Sequence, residues 1–110
     1  MCRVILACKD SEEGEAACRY VEQKTGSSLV EFSELDLSKF ASVRKFARHI
    51  AEKDTKLDIL VCTGGMEMTD KTFTEDGQEL VFQVNHLSPF LLTNLLFGFL
   101  KASDASRYTK

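Results

Sequence analysis

A chain of 110 residues is long enough for one small domain with a real core, although small domains bury a lower share of their surface. Its 44% hydrophobic and 28% charged residues match an ordinary globular protein rather than a disordered one. A net charge of −3 with no basic run argues against a surface built to neutralise nucleic-acid phosphates.

The run from Arg3 to Cys8 is short, apolar and rich in β-branched and small residues. This is the pattern of a strand buried on both faces, as in a parallel sheet. Asp10 then caps a helix, with Glu13 three residues on as the other half of a capping box and Ser11 as a rival cap. The helix is expected to turn Ala16, Ala17 and Val21 inward and to stop at Gly26, where a left-handed residue is easiest. Leu29 to Leu37 alternates as a second strand. Ser38 is the expected cap of a second helix, in which Phe40, Val43, Phe46, Ala47 and Ile50 form one apolar stripe. Lys39, Arg44, Lys45, Arg48 and Lys53 fall mostly off that stripe, on a solvated face.

Leu57 to Cys62 is a third buried strand, ended by Gly64 and Gly65, and Met66 to Thr74 is a polar loop. From about Glu75 a long helix is expected to run to Leu100, apolar on most sides, as suits a large core or a partner. Residues 102–110 form a polar tail with little pattern. The order β, α, β, α, β, α implies a doubly wound α/β domain: three parallel strands alternating with three helices and joined by right-handed crossovers.

Cys2, Cys8, Cys18 and Cys62 include no Cys-x-x-Cys pair and no metal-ligand spacing with His49 or His86, so no metal site is expected and the thiols read as reduced. Arg3 interrupts the opening, which therefore does not read as a signal peptide. The apolar stretch Phe90 to Leu100 is shorter than the ~20 residues that cross a bilayer, so no membrane segment is expected. The corresponding expectation for location is the cytoplasm, or the cytosolic face of an intracellular membrane if an anchor precedes this segment.

Several local strings point further. Arg3-Val-Ile-Leu-Ala-Cys-Lys-Asp10, Leu35-Asp-Leu-Ser38, Leu57-Asp-Ile-Leu-Val-Cys-Thr-Gly-Gly65, Thr74-Glu-Asp-Gly77 and Val84-Asn-His-Leu-Ser-Pro-Phe-Leu-Leu-Thr-Asn94 stand in order and at suitable spacing. Together with Lys101-Ala-Ser103 and Ser106-Arg107 they resemble the short-chain dehydrogenase/reductases, nearest the retinol dehydrogenase-like branch. The resemblance implies that residues 1–110 are a partial dinucleotide-binding (Rossmann) domain lacking its first strand. It implies NADP(H) as cofactor and a small carbonyl or alcohol as substrate. Lys9 would pair with the 2′-phosphate, as a point charge where the family has arginine. Asp36 would accept from the adenine amino group, Leu37 would line the adenine pocket, and the backbone at Cys62 and Gly64 would touch the cofactor.

Asn85 resembles the family's catalytic asparagine, whose main-chain carbonyl holds a water of the proton relay. Pro89 follows four residues later and has no N–H to offer that carbonyl, so the residues themselves predict a kink there. His86 lacks a nucleophile or ligand partner and reads as packed in the helix. The family's Thr-Gly-x-x-x-Gly-x-Gly loop and Tyr-x-x-x-Lys pair are not among these residues, and Tyr108 with Lys110 is too closely spaced to serve as that pair. Cys62-Thr-Gly-Gly65 replaces Asn-Asn-Ala-Gly, and Ser88-Pro89 replaces a common Gly-His. Cofactor binding is accordingly expected to be weak or absent, and turnover absent. Without the first strand, the second and fourth family strands are expected either to leave a gap or to close on each other. The alternative reading is a non-catalytic truncated form that associates with an intact relative, with helix 75–100 as the dimerisation surface.

Overall fold

The strand Val4–Cys8 (β1) pairs in parallel with Val30–Glu34 (β2), in a register that sets Val4 opposite Val30 and Cys8 opposite Glu34. The computed structural model describes residues 3–53, 57–68, 70–101 and the backbone of 107–109. Between the two strands runs α1, Ser11–Thr25, which packs on them. Its cap is Asp10: Oδ1 accepts from the amides of Glu12 at 2.9 Å and Glu13 at 3.3 Å. Gly26 ends the helix at φ 73°, and its N–H donates to the Glu22 carbonyl.

The buried face of α1 is Gly14 and Cys18, with Val21 half-buried, whereas Ala16 and Ala17 are exposed. The expected face is therefore corrected. The reason is steric: a Cβ at Gly14 would collide with the Phe32 ring, so glycine is what lets the helix lie close to β2. Burial and the nearby Glu22 carboxylate both push the Cys18 thiol up from its ordinary value of 9.0, which suppresses its thiolate.

The second contact unit, residues 37–110, is built on α2, Phe40–Lys53, packed against α4, Ser88–Lys101. Val43, Phe46, Ala47 and Ile50 of the predicted stripe are buried, as are Leu92, Leu96 and Leu100 of α4. Arg44, Lys45 and Arg48 are exposed. A third strand, β3 (Ile59–Val61), pairs in parallel with β4 (Arg107–Thr109). The patternless tail thus contains a strand at 107–109; residues 102–106 and 110, including the Ser103, Ser106 and Lys110 of the motifs above, lie outside the described residues.

These four strands form two separate two-stranded sheets, β1–β2 and β3–β4. The architecture is the partial α/β domain with parallel strands and crossover helices that the alternation implies. Burial on both faces is not achieved: Val4, Ile59 and Val61 are exposed. A strand deep in a doubly wound sheet has neighbours on both edges and helices on both faces. Within its own unit β3 has β4 on one edge, and α4 is the helix it packs against.

The long helix begins at Leu80, not Glu75. Residues 74–78 instead form a tight turn with Gly77 at φ 78°, and Phe73 bridges Glu79 in antiparallel sense. Glu79 is the cap, its carboxylate accepting from the amides of Val81 and Phe82, both at 3.0 Å. A first turn, α3 (Leu80–Phe82), leads through a π-helical turn, Gln83–Leu87, into α4. From Leu80 to Lys101 the helix has 22 residues and is long and apolar enough to cross a membrane by length and composition. The expectation from Phe90–Leu100 alone counted only half of it. In this structure the helix is a core element of its unit, since Gln83 and Ser88 are fully buried within protein hydrogen bonds.

Gly14→Ala is expected to destabilise the chain by about 1–3 kcal/mol through overpacking against Phe32, despite alanine's better helix propensity. Gly98→Ala, where a Cβ meets nothing within 4 Å, is expected to stabilise it by about 0.5–1 kcal/mol. Urea denaturation of both variants checks the opposite signs. Because the folded Cys18 holds its proton more tightly than the unfolded one, stability should also fall as pH rises past about 9, and Cys18→Ala should weaken that fall.

Candidate functional site

The π-helical turn is where the sequence places its most specific prediction. In an α-helix the carbonyl of residue 85 takes its proton from the amide of residue 89, and Pro89 has none. The ladder adjusts by one residue: the Ser88 N–H donates to the Gln83 carbonyl, five positions back. One extra residue in the turn rotates the side chains that follow, and such turns recur at functional sites.

Asn85 lies on this turn and is half-buried. Its side-chain amide meets Met66 in both senses. Oδ1 accepts from the Met66 N–H at 2.9 Å, and Nδ2 donates to the Met66 carbonyl at 3.0 Å. The amide thereby replaces the strand neighbour that the loop after β3 lacks at that point. A Cβ on Gly65 would sit 3.4 Å from Asn85 Oδ1, an ordinary contact, so Gly65 lies close to the amide without being required by it. The side-chain amide is thus committed to Met66, and the main-chain carbonyl of Asn85 has no N–H at residue 89 to accept from.

On the other side of the turn lies a buried polar network. Gln83 is 0% exposed. Its Oε1 accepts from Thr74 Oγ1 at 2.6 Å, and its Nε2 donates to Asp76 Oδ2 at 3.1 Å and, at the 3.5 Å limit, to the Leu37 carbonyl. Asp76 Oδ2 also accepts from the Phe40 N–H at 2.9 Å, tying the first residue of α2 to a turn 36 residues away. Ser88, equally buried, donates its hydroxyl to the same Leu37 carbonyl. Among the described residues no buried side-chain polar atom lacks a partner.

Of the sequence-predicted residues, Leu37, Gly64 and Asn85 come together in the second unit. The Leu37 carbonyl faces the Asn85-bearing helix through Ser88, and a Cβ added at Gly64 would stand 3.2 Å from Leu37 Cδ1. Cys62 is half-buried, just past the end of β3. Lys9 and Asp36 belong to the first unit and follow the carboxyl ends of the parallel neighbours β1 and β2. Lys9 is exposed and Asp36 half-buried. Ligands of open parallel sheets bind outside the carboxyl ends of strands; Lys9 and Asp36 follow such ends in the first unit and Cys62 and Gly64 in the second, whereas Asn85 is carried on a helix. His86 is on the outer surface, its ring stacked between Phe82 at 5.3 Å and Phe90 at 6.2 Å. No cluster of metal ligands occurs among the described residues.

Thr74, Asp76 and Gln83 escaped the sequence reading as site residues. The signal available was a glutamine at a helical position that the apolar run should bury, which demands partners. Met66 escaped because it acts only through its backbone.

Comparison with known proteins agrees with this geometry. The family model for short chain dehydrogenases matches residues 1–107. The chain belongs to the short-chain dehydrogenase family. Human retinol dehydrogenase 13 is 45% identical over 104 residues, covering 94% of this chain and 31% of its own length. Human dehydrogenase/reductase SDR family member 13 is 43% identical over 105 residues, covering 96% of this chain and 27% of its own. The chain therefore spans about a third of the curated relatives it matches. A short chain dehydrogenase from Escherichia coli CFT073, solved in complex with NADPH, superposes with a TM-score of 0.76 at 25% identity, over 96% of this chain and 46% of its own.

Asn85→Ala removes both partners of Met66 and should loosen residues 62–68. The expected cost is about 1–3 kcal/mol, with the Met66 amide exchanging markedly faster in hydrogen-exchange measurements. An unchanged Met66 amide would contradict the clamp.

Proposed function

We propose that this chain is the adenosine-side, asparagine-bearing segment of an NADP(H)-dependent oxidoreductase of the retinol dehydrogenase-like branch, acting on a carbonyl/alcohol pair. The observation that carries the reading is the π-helical turn, with Asn85 clamped to Met66 and its carbonyl denied the Pro89 amide. The NADPH bound by the Escherichia coli relative supports the choice of cofactor.

The residues present suit the adenosine half of such a cofactor. Lys9, exposed after β1, supplies a cation for a ribose 2′-phosphate. Asp36 supplies an acceptor for the adenine amino group, and Leu37, seated against Gly64, an apolar wall. The backbone at Cys62 and Gly64 allows close approach, where a side chain at residue 64 would crowd Leu37. When bound, the dinucleotide supplies hydride transfer. The part of Asn85 is to hold a water at its main-chain carbonyl, next to the path by which a proton reaches the substrate.

These 110 residues hold neither a glycine-rich loop for the diphosphate nor a Tyr-x-x-x-Lys proton donor. By itself the chain therefore binds NADP(H) only weakly, through its adenosine end, and does not turn over. A second reading, non-catalytic association with an intact relative, draws on the outer face of the long helix. Phe82, Phe90 and Phe97 are each more than half exposed there, an apolar strip that a partner helix could cover. For location we propose the cytoplasm or the cytosolic face of an intracellular membrane, with the helix Leu80–Lys101 seated in protein rather than lipid.

The test is a graft. Residues 1–107 replace the matching segment of human retinol dehydrogenase 13, and retinol oxidation is assayed. Activity should persist, and Asn85→Ala in the graft should lower kcat by about 10²-fold or more. A folded but inactive graft contradicts the reading. The 110-residue chain alone should show no saturable thermal shift with micromolar NADPH.

A further inference from the structure

We propose that Ser88 is a positioning residue for the adenine end of the dinucleotide: its buried hydroxyl holds the Leu37 carbonyl and so fixes the wall of the adenine pocket. The inference rests on the cofactor reading above and adds a residue to it.

The Leu37 carbonyl has two lone pairs and two donors. They are not equal. Gln83 Nε2 reaches it only at 3.5 Å, because the same amide is already committed to Asp76 and Thr74. The Ser88 hydroxyl makes the short bond and gives its single proton to it. Ser88 is 0% exposed, so water does not compete for either partner. The Leu37 side chain lies beside Gly64, where an added Cβ would stand 3.2 Å from its Cδ1. It is the Leu37 carbonyl that is held, and the Ser88 hydroxyl holds it.

Ser88 also closes the π-helical turn, because its own N–H donates to the Gln83 carbonyl. Asn85 and Ser88 therefore move as one body, three residues apart. Asn85 bonds the loop after β3 and Ser88 bonds the turn after β2. One turn of helix sets the distance between the asparagine carbonyl and the adenine wall. A pocket wall that is already ordered loses less freedom when a ligand arrives, which shows as affinity rather than rate. Ser88 stands where the family resemblance has glycine, so this anchor is a property of this chain.

Adenosine 2′,5′-bisphosphate, which engages only the adenine end, is titrated into the isotope-labelled 110-residue chain and followed by NMR. Ser88→Ala should raise its Kd about 3- to 10-fold and speed amide exchange over residues 37–40. Ser88→Gly, which needs no extra space, should do the same and decides the matter if the alanine variant does not fold. Thr93→Ala, which removes the other serine/threonine-to-backbone bond of α4 (Oγ1 to the Pro89 carbonyl, 2.7 Å), should leave binding unchanged. Wild-type affinity in a folded serine variant overturns the proposal and leaves the cofactor reading standing. Should the wild-type chain show no shifts at any concentration of the probe, the adenosine half-site itself falls and the positioning role falls with it.

Discussion

A helix that places proline four residues after an asparagine cannot complete its hydrogen-bond ladder there, and the rest of this site follows from how the backbone adapts. The ladder slips to a five-residue step at Gln83, so Gln83–Leu87 winds as a π turn. That slip turns Asn85 toward the loop after β3 and leaves Ser88 and Gln83 facing inward. At this turn one helix ties two loops, Met66 through Asn85 and Leu37 through Ser88 and Gln83.

Burying polar groups this way demands closure. An unpaired buried group costs about 1–3 kcal/mol, and a domain's whole stability is about 5–15 kcal/mol. The network meets that demand by drawing on three separate stretches: the turn at Thr74–Asp76, the helix at Gln83–Ser88, and the backbone of Leu37 and Phe40. Asp76 shares one oxygen between Phe40 and Gln83, so the start of α2 and the core of the long helix depend on the same carboxylate. Such a network specifies a unique arrangement more than it adds net stability. It makes the second unit a frame for the asparagine, with the Leu37 backbone built into the same frame.

What could be read from the sequence was local. The β-α-β-α-β-α order arises from patterns within each element, and the Asp10 cap, the Gly26 stop and the break in the helix ladder before Pro89 from residues close in sequence. What escaped depends on distant partners. The helix start moved to Leu80 because Glu79 caps it and Gly77 takes positive φ, a competition that apolar spacing does not register. The inward face of α1 was decided by Phe32, eighteen positions beyond Gly14. A strand at Arg107–Thr109 carries no apolar signature and exists through its pairing with β3. For the site, the order of motifs already identified Asn85, Leu37 and Gly64 as residues worth finding together. The pairing of Asn85 with Met66 and that of Ser88 with Leu37 became visible only when loops far apart in sequence were brought to the helix.

The measurement closest to the central claim is the through-hydrogen-bond scalar coupling across the bend, read on a labelled sample. The account predicts coupling between the Ser88 amide nitrogen and the Gln83 carbonyl carbon, with none to Val84. Coupling from Ser88 to Val84 instead would mean an ordinary α-helical turn, and the geometry that presents Asn85 would be wrong.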